Sequence, residues 1–246
     1  MIGIIKKEFT ENQSPPLILE TKGNKTAFTL AELLIVLGII GIVAALTMPS
    51  LTASYQKQEI TTRLQKTISV LNQAIKRAEV DHGEYIHWED GFDIGAQPYF
   101  EKYWKPYFNI VKDCKTYSDC GYSQHAPFVD ANGAVVAFGV ADVNRRGTFI
   151  LADGTIIIIS TTSSDTSGNL IPYDIIFVDV NGPKKPNKLG RDVFQLVKGY
   201  PFGVLPLGYN LTDAEVNNNC KRGGNGSYCA SKLMREGWKV SDDYPW

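Results

Sequence analysis

An α+β fold, in which one long N-terminal helix packs on an antiparallel β-sheet, follows from three features of the sequence. Residues 28–48 form an unbroken apolar run, and residues 50–82 continue with apolar positions at three-and-four spacing. The remainder supplies short β-rich runs separated by turn signals. With 246 residues, 43% hydrophobic and 21% charged, the chain is long enough for one substantial domain or two small ones. It is neither disordered nor collagen-like, and it is not a polytopic membrane protein. A net charge of −1 and a pI of about 6.3 argue against general nucleic-acid binding through an excess of Lys and Arg.

The apolar run reads FTLAELLIVLGIIGIVAALTM, 21 residues with one charge, Glu32. A helix of that length crosses the roughly 30 Å hydrocarbon core of a bilayer. Lys22 and Lys25 precede it, so the N-terminal side is expected in the cytoplasm and everything after Met48 outside. The run is too long for a conventional cleaved secretory signal, and helix-forming residues follow Pro49-Ser50. Glu32 is the odd residue, because a carboxylate at the centre of a spanning helix costs about 2.5–3.5 kcal/mol and less near an end. Either it reaches headgroups or water one turn into the helix, or it meets a cation from elsewhere. A new α-amino group, made by cutting the chain before Phe28, would serve.

The stretch Lys22-Gly-Asn-Lys-Thr-Ala-Phe-Thr-Leu-Ala-Glu32 resembles the processing site of type IV pilins and type II secretion pseudopilins. The resemblance implies a pilin-like fold and removal of a cytoplasmic leader, 1–27, by a membrane prepilin peptidase that also methylates the new N-terminal Phe28. Ala27 then precedes the cut, where the family usually has Gly. Glu32 becomes the fifth mature residue, and Pro49 falls where many such proteins carry a helix-bending proline. The resemblance covers residues 22–80, about a quarter of the chain. Glu32 of one copy can neutralise the Phe28 amine of a neighbour in a medium where neither is comfortable alone, which favours axial register more than raw stability. Gly38 and Gly41 fit either close helix approach or the ordinary glycine content of membrane helices.

Four segments follow: the leader 1–27, a transmembrane and assembly helix 28–49, its amphipathic continuation 50–82, and an exported α+β head 83–246. Pro49 is expected to bend the helix. Beyond it, Ile60, Leu64, Ile68, Leu71, Ile75 and Ala78 form one stripe that a sheet of the same chain should cover. His82-Gly83 is the stop signal, giving a helix about 80 Å long. Phe100, Trp104 and Phe108 predict a short aromatic helix within 98–111, interrupted by Pro106. Strands are expected over 134–140, over 148–160 as a hairpin turning at Asp153-Gly154, over 175–180 and over 193–197. These make a four- or five-stranded antiparallel sheet. Residues 161–169 read as a polar Ser/Thr-rich loop.

Cys114, Cys120, Cys220 and Cys229 all lie beyond the membrane segment, and an even count in an exported domain points to disulfides. Of three connectivities, the local pairs Cys114 with Cys120 and Cys220 with Cys229 are favoured, each closing a short polar loop. Zinc is the rival, with poor ligand spacing. In the loop 179–192, Asp179, Asn181, Asn187 and Asp192 offer oxygen ligands for calcium. Asx turns that order the loop are the alternative, and Lys184, Lys185, Lys188 and Arg191 weigh against a cation. That loop and the closing residues 237–246 both resemble segments that recur in bacterial pilin-like proteins.

No nucleophile elbow, phosphate-binding loop or zinc-protease helix is present, and His82, His87 and His125 are scattered. No catalytic residues are expected and no cofactor is required beyond possible calcium. The expected function is a structural subunit of a type IV pilus or type II secretion pseudopilus, held first in membrane lipid of the inner membrane and then in a periplasmic or cell-surface filament. Its partners would be the prepilin peptidase, like subunits, and an assembly platform whose cytoplasmic ATPase supplies the work, since nothing in this sequence binds ATP. The leader carries four Lys against three Glu, so its loss takes the net charge from −1 to −2, and nucleic acid is no expected partner. The alternative is an uncleaved single-pass protein with an outward ligand-binding domain; a membrane-tethered exported enzyme is a third reading.

Overall fold

The computed structural model describes residues 29–123, 127–136, 146–162, 173–199 and 201–246. The chain divides after Pro49 into two units. Helix α1 runs Leu30–His82 with Pro49 inside it. Its first part exposes Leu33, Ile35, Leu37, Ile39, Ile42 and their neighbours. Among the described residues it is the one helix long and apolar enough to cross a membrane, and none of its apolar window is buried by protein. The helix ends at His82 because Gly83 turns to φ 76° and donates its N–H to the Glu79 carbonyl.

The second unit is a six-stranded antiparallel meander in sequence order. Its strands are β1 (Ile110–Asp113), β2 (Arg146–Leu151), β3 (Ile156–Thr162), β4 (Tyr173–Asp179), β5 (Val193–Gly199) and β6 (Gly203–Pro206). Four consecutive isoleucines, Ile156 to Ile159, show how it is packed. Ile157 and Ile159 join Phe149, Ile176, Val178, Phe194 and Leu196 against Leu64, Leu71, Ala74, Ile75 and Ala78 of α1. Ile156 and Ile158 face the other way, with Phe177 and Val193, onto Tyr117, Tyr122, Phe128 and Leu189. A sheet covered on both faces needs an apolar residue at every position, which is why the run does not alternate. The α1 stripe is wider than its spacing suggested: Thr61, Thr67 and Ala74 are buried, while Ile60 and Ile68 pack at its margin.

The aromatic segment differs from expectation. A short α2 (Gly91–Ile94) leads into α3 (Ala96–Tyr103), and a 3₁₀ turn, Lys105–Tyr107, then takes Pro106 in its first positions. Proline cannot continue the helix but suits the start of a new turn, so the chain leaves α3 early and residues 110–113 extend as β1. The sheet therefore gains β1 at one edge and β6 at the other. Val135 makes only an isolated bridge to Val129, and the rest of the expected 134–140 strand lies outside the described residues, as do His125 and residues 163–169. Two further helices, α4 (Asp213–Asn219) and α5 (Cys229–Arg235), follow the sheet.

Asn72 of α1 closes the β6 edge. Its Nδ2 donates to the Val204 carbonyl at 2.9 Å, and its Oδ1 accepts from the Val204 N–H at 2.8 Å. Gly203 is required beside it, because a Cβ there would sit 2.2 Å from Asn72 Oδ1 and the backbone is at φ 81°. Asn72→Ala leaves both Val204 groups unpaired at a buried position and is expected to destabilise the head by about 2 kcal/mol. Urea unfolding followed by near-ultraviolet circular dichroism, in detergent, measures this.

Candidate functional site

Three places carry the chemistry that the sequence singled out: the start of α1, the two cysteine pairs, and the loop 179–192.

Ala27 and Phe28 lie outside the described residues. Glu32 is the third residue of α1, and Thr29 caps the helix in front of it. The Thr29 N–H and hydroxyl each donate to Glu32 Oε2 at 2.8 Å, and the Glu32 N–H donates to Thr29 Oγ1 at 3.2 Å. This is a capping box, and the same arrangement opens α4 at Thr212 and Glu215. Its signal, Thr-x-x-Glu before an apolar run, was present in the sequence beside the processing motif. The box holds Oε2 against the helix end, while Oε1 makes no hydrogen bond among the described residues. At Pro49 the helix continues, although proline withholds one N–H from the ladder.

Cys114 and Cys120 form one disulfide and Cys220 and Cys229 the other, so none of the four sulfurs is free to bind a metal. The first closes the segment that covers the outer sheet face. The second ties the end of α4 to the start of α5.

The loop 179–192 is held from several sides. Val129 bridges it through the Asn187 carbonyl and the Leu189 N–H. Gly190 lies so close to the Cys229 sulfur that a Cβ would approach to 2.7 Å, and its carbonyl accepts the hydroxyl of Tyr244. The Arg191 guanidinium lies over the Trp246 ring, 5.7 Å from its centre. The closing residues, singled out separately in the sequence, are thus a clamp on this loop.

Inside the loop, Asp179 and Asp192 are fully buried. Asp179 Oδ2 accepts the Tyr122 hydroxyl at 2.6 Å, and its Oδ1 accepts the Asn181 N–H at 3.3 Å. Asp192 accepts the Asn187 and Lys188 N–H groups, at 2.9 and 2.7 Å, and the Asn181 amide at 3.2 Å. One Asx turn, from Asp179 to Asn181, is therefore present, yet it does not complete the site. The side-chain oxygens of Asn181 and Asn187 are buried without a hydrogen-bond partner. Neither carboxylate has a cationic partner among the described residues, and Lys184 and Lys185 point to solvent. Burial pushes the Asp179 carboxyl well above the usual range, and the nearby Asp192 carboxylate pushes it further. Burial raises Asp192 as well, against the N–H groups that favour its charge. Two carboxylates and two orphaned amide oxygens suit a hard divalent cation. Tyr122 was missed from sequence, since nothing near it in the chain signals a partner 57 residues away.

Among the described residues no three His, Cys, Asp or Glu side chains gather as a metal-binding group. His82 packs edge-on to Tyr103 and Tyr107.

An exposed apolar helix leading from a capped start, and a second unit of helix and antiparallel meander, define a pilin-like class of protein. Residues 22–48 match the prokaryotic N-terminal methylation motif, the prepilin-type signal of type IV pilins and pseudopilins, in keeping with a structural subunit and a single-pass membrane protein. Residues 50–246 match a family described as a family of unknown function (DUF6613), and the chain belongs to that family. No curated protein and no solved structure matches the chain.

Proposed function

We propose that this chain is the precursor of a filament subunit of the type IV pilus or type II secretion pseudopilus kind. The single observation that carries this reading is the methylation motif over 22–48, which overlaps a helix long and apolar enough to cross a membrane. The prepilin peptidase of the inner membrane cuts between Ala27 and Phe28 and methylates the new amine. The helix 28–49 then passes from lipid into a bundle of like subunits, where the Phe28 amine of one copy meets Glu32 of the next. The capping box supports that role, because it leaves Oε1 unengaged near the amine-bearing end. The continuation 50–82 and the head 83–246 lie on the outer side of the membrane, and a separate cytoplasmic ATPase drives extraction. Asp179, Asp192, Asn181 and Asn187 hold a divalent cation, calcium by their all-oxygen chemistry. That cation would neutralise the two buried carboxylates.

Expression with and without a prepilin peptidase tests the processing step. The leader is expected to disappear only when the peptidase is present. A chain that keeps its leader beside an active peptidase would instead make this an uncleaved single-pass protein.

A further inference from the structure

Among the described residues, Asp174 and Lys198 are the one ion pair whose two side chains are both less than a tenth exposed. The register that sets Ile175 against Val197 places them directly opposite one another on β4 and β5, on the sheet face that α1 covers. Lys198 Nζ lies 2.9 Å from Asp174 Oδ2, and the two side chains are only 7% and 4% exposed. Three aromatic rings, Tyr85, Trp88 and Tyr99, surround the nitrogen at 5.7, 5.2 and 5.1 Å. The Tyr99 hydroxyl donates to Asp174 Oδ2 at 2.8 Å and also touches Lys198 Nζ. An amine and a carboxyl are thus fixed in contact, walled from water, with a hydroxyl donor aimed at the carboxyl oxygen.

We propose that Lys198 and Asp174 condense to an intramolecular isopeptide bond that joins β4 to β5. Proton transfer from the ammonium to the carboxylate gives a neutral amine and a carboxylic acid. The amine nitrogen attacks Asp174 Cγ, forming the N–C bond, while the Tyr99 hydroxyl hydrogen-bonds the oxygen on which charge develops. The C–Oδ1 bond then breaks, and Oδ1 leaves as water with two of the three protons that Nζ first carried. The ammonium and carboxylate charges cancel, and no oxidant, reductant or activated co-reactant is needed. Two effects drive the step. Groups held in attacking geometry react as if at concentrations of about 10⁵–10⁸ M, and a buried ion pair that loses its charges no longer bears its desolvation cost. Burial raises the Tyr99 phenol far above its ordinary pKa, so it stays protonated as a donor throughout. The ring cage has the opposite pull, since aromatic faces favour the charged ammonium. The same walls keep bulk water from the product and so slow its hydrolysis.

The test is a peptide map of the full-length chain purified in detergent, reduced and alkylated before trypsin. The expected product is one branched peptide joining residues 147–184 to residues 192–221, one water lighter than its two parts and uncut after Lys198. Linear peptides ending at Lys198, from a sample whose unreduced map shows Cys114 joined to Cys120, would overturn the proposal. Lys198→Arg keeps the charge and is expected to return only linear peptides. A branched peptide surviving in that variant would also overturn the assignment. Tyr99→Phe is expected to slow bond formation about a hundredfold in a pulse–chase experiment, the usual scale for losing a hydrogen-bond donor aimed at a developing oxyanion. An unchanged rate would remove Tyr99 from the step.

Discussion

Glu32→Ala is expected to leave membrane insertion intact and to lower the yield of sheared filaments at least about tenfold. Removing one partner of a desolvated charge pair costs about 2–5 kcal/mol, mostly because the other charge stays buried and unpaired. Each 1.4 kcal/mol or so is a factor of ten in an equilibrium, so a pair repeated at every subunit contact dominates assembly. The structure adds a competing explanation that the variant alone does not separate, because Glu32 also completes a capping box with Thr29. Loss of a cap weakens a helix by about 1 kcal/mol. Glu32→Gln separates the two, since glutamine can hold the same box without a charge. If pairing with the Phe28 amine sets the register, Glu32→Gln fails as badly as Glu32→Ala. Normal filaments from Glu32→Gln would assign the residue to capping alone.

Calcium is expected to raise the melting temperature of the chain at neutral pH by about 5–10 °C when present at a hundred times its dissociation constant. Ligand binding at that ratio contributes about 2.7 kcal/mol, and a domain of this size shifts by about 2–4 °C per kcal/mol. The pH dependence follows from the raised Asp179 and Asp192 carboxyls. A carboxyl whose folded pKa lies above its unfolded value binds its proton more tightly in the folded state. Without the cation, the contribution of these two carboxyls to stability is therefore greatest below the unfolded carboxylate range and falls as pH rises through that range towards the folded values. Calcium reverses this loss, so its effect should shrink on acidification. Asp192→Asn is expected to abolish the calcium response and to remove this residue's share of the stability lost as pH rises in the cation-free chain. Equal melting temperatures with calcium and with a chelator, at neutral pH, would leave the loop with its internal hydrogen bonds and no ion.

Much of this was legible because it is local or periodic. The apolar run, the three-and-four spacing of α1 and the Asp153-Gly154 turn between β2 and β3 each depend on neighbours in the chain. The edges of the sheet were not legible. β1 and β6 are four residues long, and β6 begins at a glycine and ends at a proline, so neither shows a period. The outer cover on the sheet was also hidden, although Ile156 to Ile159 hinted at it by failing to alternate. At the loop, the oxygen donors could be read from the sequence, but their burial could not. Of the residues that seemed to oppose a cation, Lys184 and Lys185 are exposed and Arg191 lies on Trp246, a matter of side-chain direction that composition does not carry. At the start of α1, by contrast, the capping box was written in plain spacing and was masked by the stronger processing motif on the same residues.

The most direct measurement is the intact mass and N-terminal sequence of the protein purified from the membranes of its own host. A chain that begins at N-methylated Phe28 is the predicted result, placing the cut after Ala27 and the new amine beside Glu32. A chain that still begins at Met1 would contradict it, leaving Glu32 as a helix cap and the protein as a single-pass membrane protein with an outward domain.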